Sequence, residues 1–216
     1  SLKESSESVN SRKELSVESG AGCSRYVGRI IENVKVAPSP AWLSKLLHAV
    51  GLNSVNNVVD ITNFVLMDVG QPLHSFDMSR LEGNAVKVRK ANVGESITTI
   101  DHTVHELKES DLVICDGNRP ACVAGVMGGV ESEITEETTN VFLESAYFDP
   151  KVVRRQSKRL GLSSDSSYRF ERGIDPFTQA EMNDYACALI QEVAGGDILQ
   201  GRLDDTGADP NREPDV

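Results

Sequence analysis

Residues 141–148, VFLESAYF, hold a contradiction that any fold of this chain must resolve. Val141, Phe142, Leu143, Ala146, Tyr147 and Phe148 spell a strand that seeks burial, yet Glu144 stands in its middle. Side chains alternate between the two faces of a strand, so Phe142, Glu144, Ala146 and Phe148 share one face. An ionised carboxylate between two phenylalanines is costly unless a partner meets it. Arg169 or Arg172 would serve as a structural partner; a ligand is the alternative.

The rest of the chain supplies elements that could enclose such a strand. SPAWLSKLLHAVG predicts a helix, with Ser39 as cap, Pro40 in the first turn, Gly51 as stop, and Trp42, Leu43, Leu46, Leu47 and Val50 as its apolar stripe. NNVVDITNFVLMDVG predicts a second, with Asp60 as cap and Gly70 as stop, and QPLHSFD after it reads as a loop. From residue 85 the pattern changes to short β-branched runs divided by turn residues, AVKVRKA, ESITTI, TVHELK, DLVICD and PACVAGVMGG. Asp149-Pro150 starts a basic helix, PKVVRRQSKRLG, closed by Gly161. SSDSSYRFERGIDP reads as irregular, and a last helix runs from Pro176 to Gly195-Gly196. Helices, many short strands, then helices imply the α+β class: a three-layer domain with a β-sandwich-like core of mostly short antiparallel or mixed strands, flanked by helices. Residues 1–20 and 202–216 are polar and aperiodic and read as linkers, leaving residues 21–201 as one domain. The chain begins with Ser rather than Met, which predicts an excised or processed piece of a longer protein.

A net charge of −11 argues against a protein that grips nucleic acid by bulk electrostatics, though not against a small local contact. No apolar run approaches the roughly 18 residues of a membrane span. Cys23, Cys115, Cys122 and Cys187 show no C-x-x-C spacing and read as free thiols, three of them among apolar neighbours, in a reducing cytoplasm. His102 and His105 lack further ligands for a zinc site, so no metal is expected. There is no G-x-S-x-G elbow and no phosphate-binding glycine loop. GVMGG, residues 125–129, marks either a tight bend where backbones approach or a space left for a ligand.

Taken in order, SPAWLSKLLHAVGLNSVNNVVDITNFVLMDVGQPLHSFD, GVMGG, VFLESAYFDP and SSDSSYRFERGIDP closely resemble the editing domain in the beta subunit of bacterial-type phenylalanyl-tRNA synthetase. The resemblance covers about residues 21–201. It implies post-transfer editing, the hydrolysis of tyrosine wrongly esterified to phenylalanine tRNA. A pocket shaped for Phe rejects an added hydroxyl only by about 100-fold, so a second site that demands the hydroxyl is needed. On this resemblance Glu144 would read the tyrosine hydroxyl, and His74 falls at a histidine important for editing. Gly125 and Gly128 match glycines that leave room for substrate, and Asn63 matches a further motif position. Ser164 and Ser166 stand where the family usually carries Thr and Ala; Ser164 keeps a hydroxyl, whereas Ser166 adds a polar group.

Direct attack of water on the ester is the simplest expected mechanism. His74 would orient that water, act as its base, or hold the terminal adenosine, and backbone N–H groups near residues 125–129 would stabilise the oxyanion. The resemblance further implies an alpha subunit as partner in an alpha-two, beta-two heterotetramer. ATP and magnesium serve that holoenzyme, this chain needs no cofactor of its own, and it would not aminoacylate alone. Two alternatives stay open: a non-catalytic module that positions tRNA or scaffolds the subunit, and a free-standing relative acting on another aminoacyl ester.

Overall fold

Residues 141–148 form a strand with hydrogen-bonded neighbours on both sides, and the remaining elements enclose it. The computed structural model describes residues 2–206. In chain order it comprises β1 (Glu4–Ser8), β2 (Glu14–Val17), β3 (Cys23–Glu32), α1 (Ala41–Ala49), α2 (Asn57–Val69), β4 (Leu73–Asp77), β5 (Ala85–Lys90), β6 (Ser96–Thr98) and β7 (Val104–Glu106). There follow β8 (Leu112–Cys115), β9 (Pro120–Val123), β10 (Met127–Gly128), β11 (Val141–Phe148), α3 (Pro150–Leu160), α4 (Asp165–Phe170), α5 (Gln179–Ala194), β12 (Asp197–Gln200) and β13 (Leu203–Asp205).

One sheet has the order β1-β12-β3-β11-β4, with β13 also on β3; a second has the order β10-β9-β8-β5-β2; β6 and β7 form a separate hairpin. Most pairs are antiparallel, and β1 with β12 and β2 with β5 are parallel. The even-numbered residues of β11 face the second sheet, where Phe142, Ala146 and Phe148 join Tyr26, Phe76, Val88, Ile114 and Val123 in one apolar layer. Its odd-numbered Val141 and Leu143 face helices α1, α2 and α5, packing with Leu43, Ile61, Val65 and Ile190. Asn183 of α5 donates to the carbonyls of Val27 (3.1 Å) and Leu143 (3.0 Å), tying the helix layer to the two central strands. Helix layer, sheet and sheet make the three-layer α+β arrangement that the element pattern implies.

Several local expectations are corrected. Residues 4–8 and 14–17, read as linker, are edge strands of the two sheets, and Val9 and Lys13 between them are buried. Their polar side chains hid this, because an edge strand is held by backbone pairing and a few ion pairs, here Glu4 with the buried Arg29. Residues 203–205 likewise pair with β3, while residues 207–216 lie outside the described residues. QPLHSFD contains β4 rather than a loop, and SSDSSYRF contains α4, whose Ser164 and Ser167 form a reciprocal capping box. The cap of α1 is Pro40, and Ser39 instead donates to Asp60 at 2.6 Å. Asn56, not Asp60, caps α2; Asp60 lies buried in its first turn, accepting also from Ser54 and the Val55 amide. The last helix begins at Gln179 rather than Pro176.

Gly28 lies opposite Glu144 in the β3–β11 register, and the Phe142 ring occupies the space that a Cβ at Gly28 would need. Replacing Gly28 with Ala is expected to displace Phe142 and cost about 1–3 kcal/mol, as overpacking of a filled core does. Urea unfolding checks this; an unchanged midpoint would show that the ring has room to move.

Candidate functional site

Glu144 on β11 is paired in register with His74 on β4, so three strands carry the row Gly28, Glu144, His74 across the sheet. Residues directly opposite on antiparallel strands point to the same face. Both side chains therefore face the space between the sheets, at the end where β4 forms the sheet's edge. A cavity of about 430 Å³ opens there. Its walls come from α2 (Val59, Thr62, Asn63, Leu66), from β4, from the segment 125–129, from Glu144 and from the first turn of α4. All seven residues singled out in the sequence, Asn63, His74, Gly125, Gly128, Glu144, Ser164 and Ser166, line this one cavity.

Neither candidate arginine meets Glu144. Arg169 turns to the carbonyl of Asp165 (3.1 Å) and to the sulfur of Met67, and Arg172 lies 3.5 Å over the Tyr168 ring. The partner is Tyr26, whose hydroxyl donates to Glu144 Oε2 at 2.8 Å. Tyr26 lies opposite Ala146, two residues along from Glu144, with its ring stacked on Phe142 at 6.5 Å between centroids. Burial pushes the Glu144 carboxyl up to about 8, against the opposing pull of the Tyr26 hydrogen bond. At neutral pH Glu144 is therefore mostly the neutral acid.

His74 stands edge-on to Phe76, with centroids 4.4 Å apart. A Cβ at Gly128 would come within 2.6 Å of the imidazole, so this glycine makes room for the histidine ring. Gly125 has φ +68°, and Phe148, Phe170 and Val153 fill the space where its side chain would stand. The two glycines thus admit neighbouring side chains and present backbone to the cavity. No hydrogen bond ties either His74 ring nitrogen to another described residue. Burial lowers its pKa to about 4. So weak a base is better suited to orienting a water than to taking its proton.

The other groups are more committed. The Ser164 hydroxyl donates to the Val126 carbonyl at 2.7 Å and accepts from the Ser167 amide at 3.0 Å, so it holds the wall and is no nucleophile. Ser166 and Asn63 make no side-chain hydrogen bond within the described residues and present free polar groups to the cavity. The amides of Val126 and Gly129 are taken by the carbonyls of Val123 and Ala121, which removes two donors from the expected oxyanion site. Cys122 also lines the cavity, but burial holds its thiol protonated. All four cysteines are buried and free. Among the described residues no three His, Cys, Asp or Glu side chains group as a metal site, and no helix is long and apolar enough to cross a membrane.

The polar contributors not singled out in the sequence include Tyr26, which holds Glu144, and Thr62, Glu133 and Asp165 on the wall. Nothing in the string around Tyr26 sets it apart from its strand neighbours, and the glycine two residues on, Gly28, makes room for the Phe142 ring instead. Thr62 donates to the Val59 carbonyl at 2.7 Å within its own helix, and nothing in its string distinguishes it from a helix-face residue.

Residues 22–195 match the family model described as the B3/4 domain. The chain is 50% identical over 204 residues to the phenylalanine–tRNA ligase beta subunit of Geobacter metallireducens, covering 94% of this chain and 26% of that protein. It is 50% identical over 182 residues to the subunit of the same name from Moorella thermoacetica, covering 84% of this chain and 23% of that one. The chain thus spans about a quarter of the length of the curated relatives it matches. A crystal structure of an N-terminal fragment of the phenylalanyl-tRNA synthetase beta subunit from Pyrococcus horikoshii shares the fold, with a TM-score of 0.50 at 12% identity over 75% of this chain and 52% of that one.

Glu144 and His74 give stability opposite dependences on pH. Between its ordinary value of 4.5 and about 8, folded Glu144 keeps a proton that the unfolded chain loses, so stability falls as pH rises. Between 6.5 and about 4, folded His74 lacks a proton that the unfolded chain binds, so stability falls as pH drops. The two slopes oppose each other at mildly acid pH, and the Glu144 loss stands alone above it. Glu144→Gln is expected to gain on the wild type by a few kcal/mol as pH is raised from about 5 to about 9. Urea unfolding at each pH checks this, and parallel profiles for the two proteins would contradict it.

Proposed function

On the premise that the chain belongs to the B3/4 domain family, we propose that its cavity hydrolyses the ester of tyrosine wrongly attached to phenylalanine tRNA. The observation that carries this reading is the placement of Glu144: a buried carboxyl, held from one side by a tyrosine phenol, on the wall of a cavity whose remaining surface is largely apolar. The cavity volume lies in the range that small ligands fill. An aromatic ring satisfies the apolar walls. A substrate phenol then donates to Glu144 beside Tyr26, and two phenols on one carboxyl favour its ionised form. A phenylalanine ring would instead cover the carboxyl and leave it without that partner. The asymmetry is large, because a site built to bond a hydroxyl rejects an analogue lacking it far better than an apolar pocket rejects an added one.

In this reading His74 orients the water that attacks the ester carbonyl, its imidazole neutral and both nitrogens free for the task. Hydrolysis consumes only water. ATP and magnesium belong to the aminoacylation that an alpha subunit would carry out in a cytoplasmic alpha-two, beta-two assembly. The Tyr26–Glu144 bond also favours a second reading, in which Glu144 is a satisfied structural acid and the domain only positions tRNA.

Deacylation of tyrosyl and phenylalanyl esters of phenylalanine tRNA separates the two. The wild type is expected to prefer the tyrosyl ester by at least about 100-fold. Glu144→Gln is expected to lower kcat/KM for the tyrosyl ester by about 10- to 100-fold, the worth of a hydrogen bond to a charged group, and to leave the phenylalanyl ester unaffected. His74→Ala is expected to lower kcat with little change in KM; a rise in KM alone would assign His74 to the terminal adenosine. Hydrolysis of neither ester by the wild type would leave the scaffold reading, and equal hydrolysis of both would contradict the role given to Glu144.

A further inference from the structure

Helix α3, PKVVRRQSKRL, carries five basic residues and no acidic one in a chain of net charge −11. Lys151, Arg154, Arg155 and Lys158 are exposed, and their spacing of three and four residues places them on one face. None of the four forms an ion pair or a side-chain hydrogen bond within the described residues, whereas the fifth, Arg159, pairs with the buried Asp111. Lys90 adjoins the same face, its pKa lowered first by burial and then by Arg155. Asp149, the acid at this end, is engaged in capping the helix through the Lys151 amide at 2.7 Å.

Helix stability accounts for Lys158, a cation in the last turn, but not for the rest of this arrangement. Like charges three and four residues apart repel, and Lys151 lies in the first turn, where the helix dipole disfavours a cation. The opposite face of α3 is the support of the cavity wall. Val153 packs on Gly125, and Gln156 donates to the Ala124 carbonyl at 2.6 Å and accepts from the Leu112 amide. The helix ends at Gly161, three residues before Ser164 on the cavity rim.

We propose that the exposed face of α3 docks the phosphate backbone of the RNA whose 3′ end enters the cavity. This rests on the functional reading above and names the surface through which that substrate is held. A regular polyanion matches a row of unpaired cations, and such contacts position a nucleic acid without reading its sequence. The overall negative charge then confines RNA to this face.

The test is binding of fluorescein-labelled phenylalanine tRNA to the chain, followed by anisotropy as salt is raised. Four phosphate contacts predict a log–log slope of roughly −3 to −4, or about 100-fold weaker binding between about 50 and 200 mM salt. Replacing Lys151, Arg154, Arg155 and Lys158 together with Ala is expected to remove most of that slope and to weaken low-salt binding about 100-fold. Alanine is a strong helix former, so the helix is retained. Arg154→Lys with Arg155→Lys should keep the slope. Replacing Lys3, Lys35, Lys45 and Lys108 with Ala removes the same charge elsewhere and should also keep it. The proposal is overturned if the α3 variant binds like the wild type, if both alanine sets weaken binding alike, or if the wild type shows no salt-dependent binding. Tighter binding of polyglutamate than of tRNA would overturn it as well, assigning the face to an acidic protein. Hydrolysis of the tyrosyl ester of adenosine, too small to reach α3, is read on the same proteins. Its absence from the wild type would count against the hydrolytic reading and leave the binding result to decide the surface.

Discussion

Tyr26 donates its phenol proton to Glu144 across 2.8 Å, inside a layer of side chains pressed between two sheets. Without that bond a carboxyl among Phe142, Phe76 and Phe148 would have no side-chain partner among the described residues, at a cost of about 1–3 kcal/mol. With it, Glu144 is held on one side and open to the cavity on the other. The surrounding fold serves this geometry. Gly28 lets the Phe142 ring lie flat across β3, and Gly128 lets the His74 ring stand beside the cavity. Asn183 fixes the two central strands from behind. The site is thus a property of the sheet register more than of any loop.

Much of the architecture was readable because burial leaves strong patterns. The apolar run at 141–148 read as an enclosed strand and the β-branched runs after residue 85 as short strands, and both are found. What escaped was held by pairing rather than by burial. Residues 4–8, ESSES, show a polar pattern, yet they form an edge strand whose Glu4 meets the buried Arg29, which also pairs with Asp184 of α5. QPLHSFD looked like a loop because Pro72 and His74 weaken its alternation. Its register with β11 is a long-range fact that a local pattern cannot hold.

The candidate site was legible in a different way. Resemblance to a family brought together seven positions scattered from Asn63 to Ser166, and the fold places all of them on one cavity. Residue chemistry alone named Glu144 as an anomaly and then looked for an arginine, since a charge calls for an opposite charge. The partner turned out to be a phenol, and burial outweighs its pull enough for the group to keep its proton at neutral pH. That outcome depends on the desolvation of one oxygen pair, which no sequence pattern encodes.

The most direct test of this account is a pH titration of the Glu144 side-chain carboxyl by carbon NMR, assigned with Glu144→Gln, with the cavity empty and with tyrosine amide or phenylalanine amide added. The account predicts a midpoint near 8 in the empty cavity, moving clearly lower with the tyrosine compound and not with the phenylalanine one. A midpoint near the ordinary 4.5 in the empty cavity, or the same response to both compounds, would contradict it.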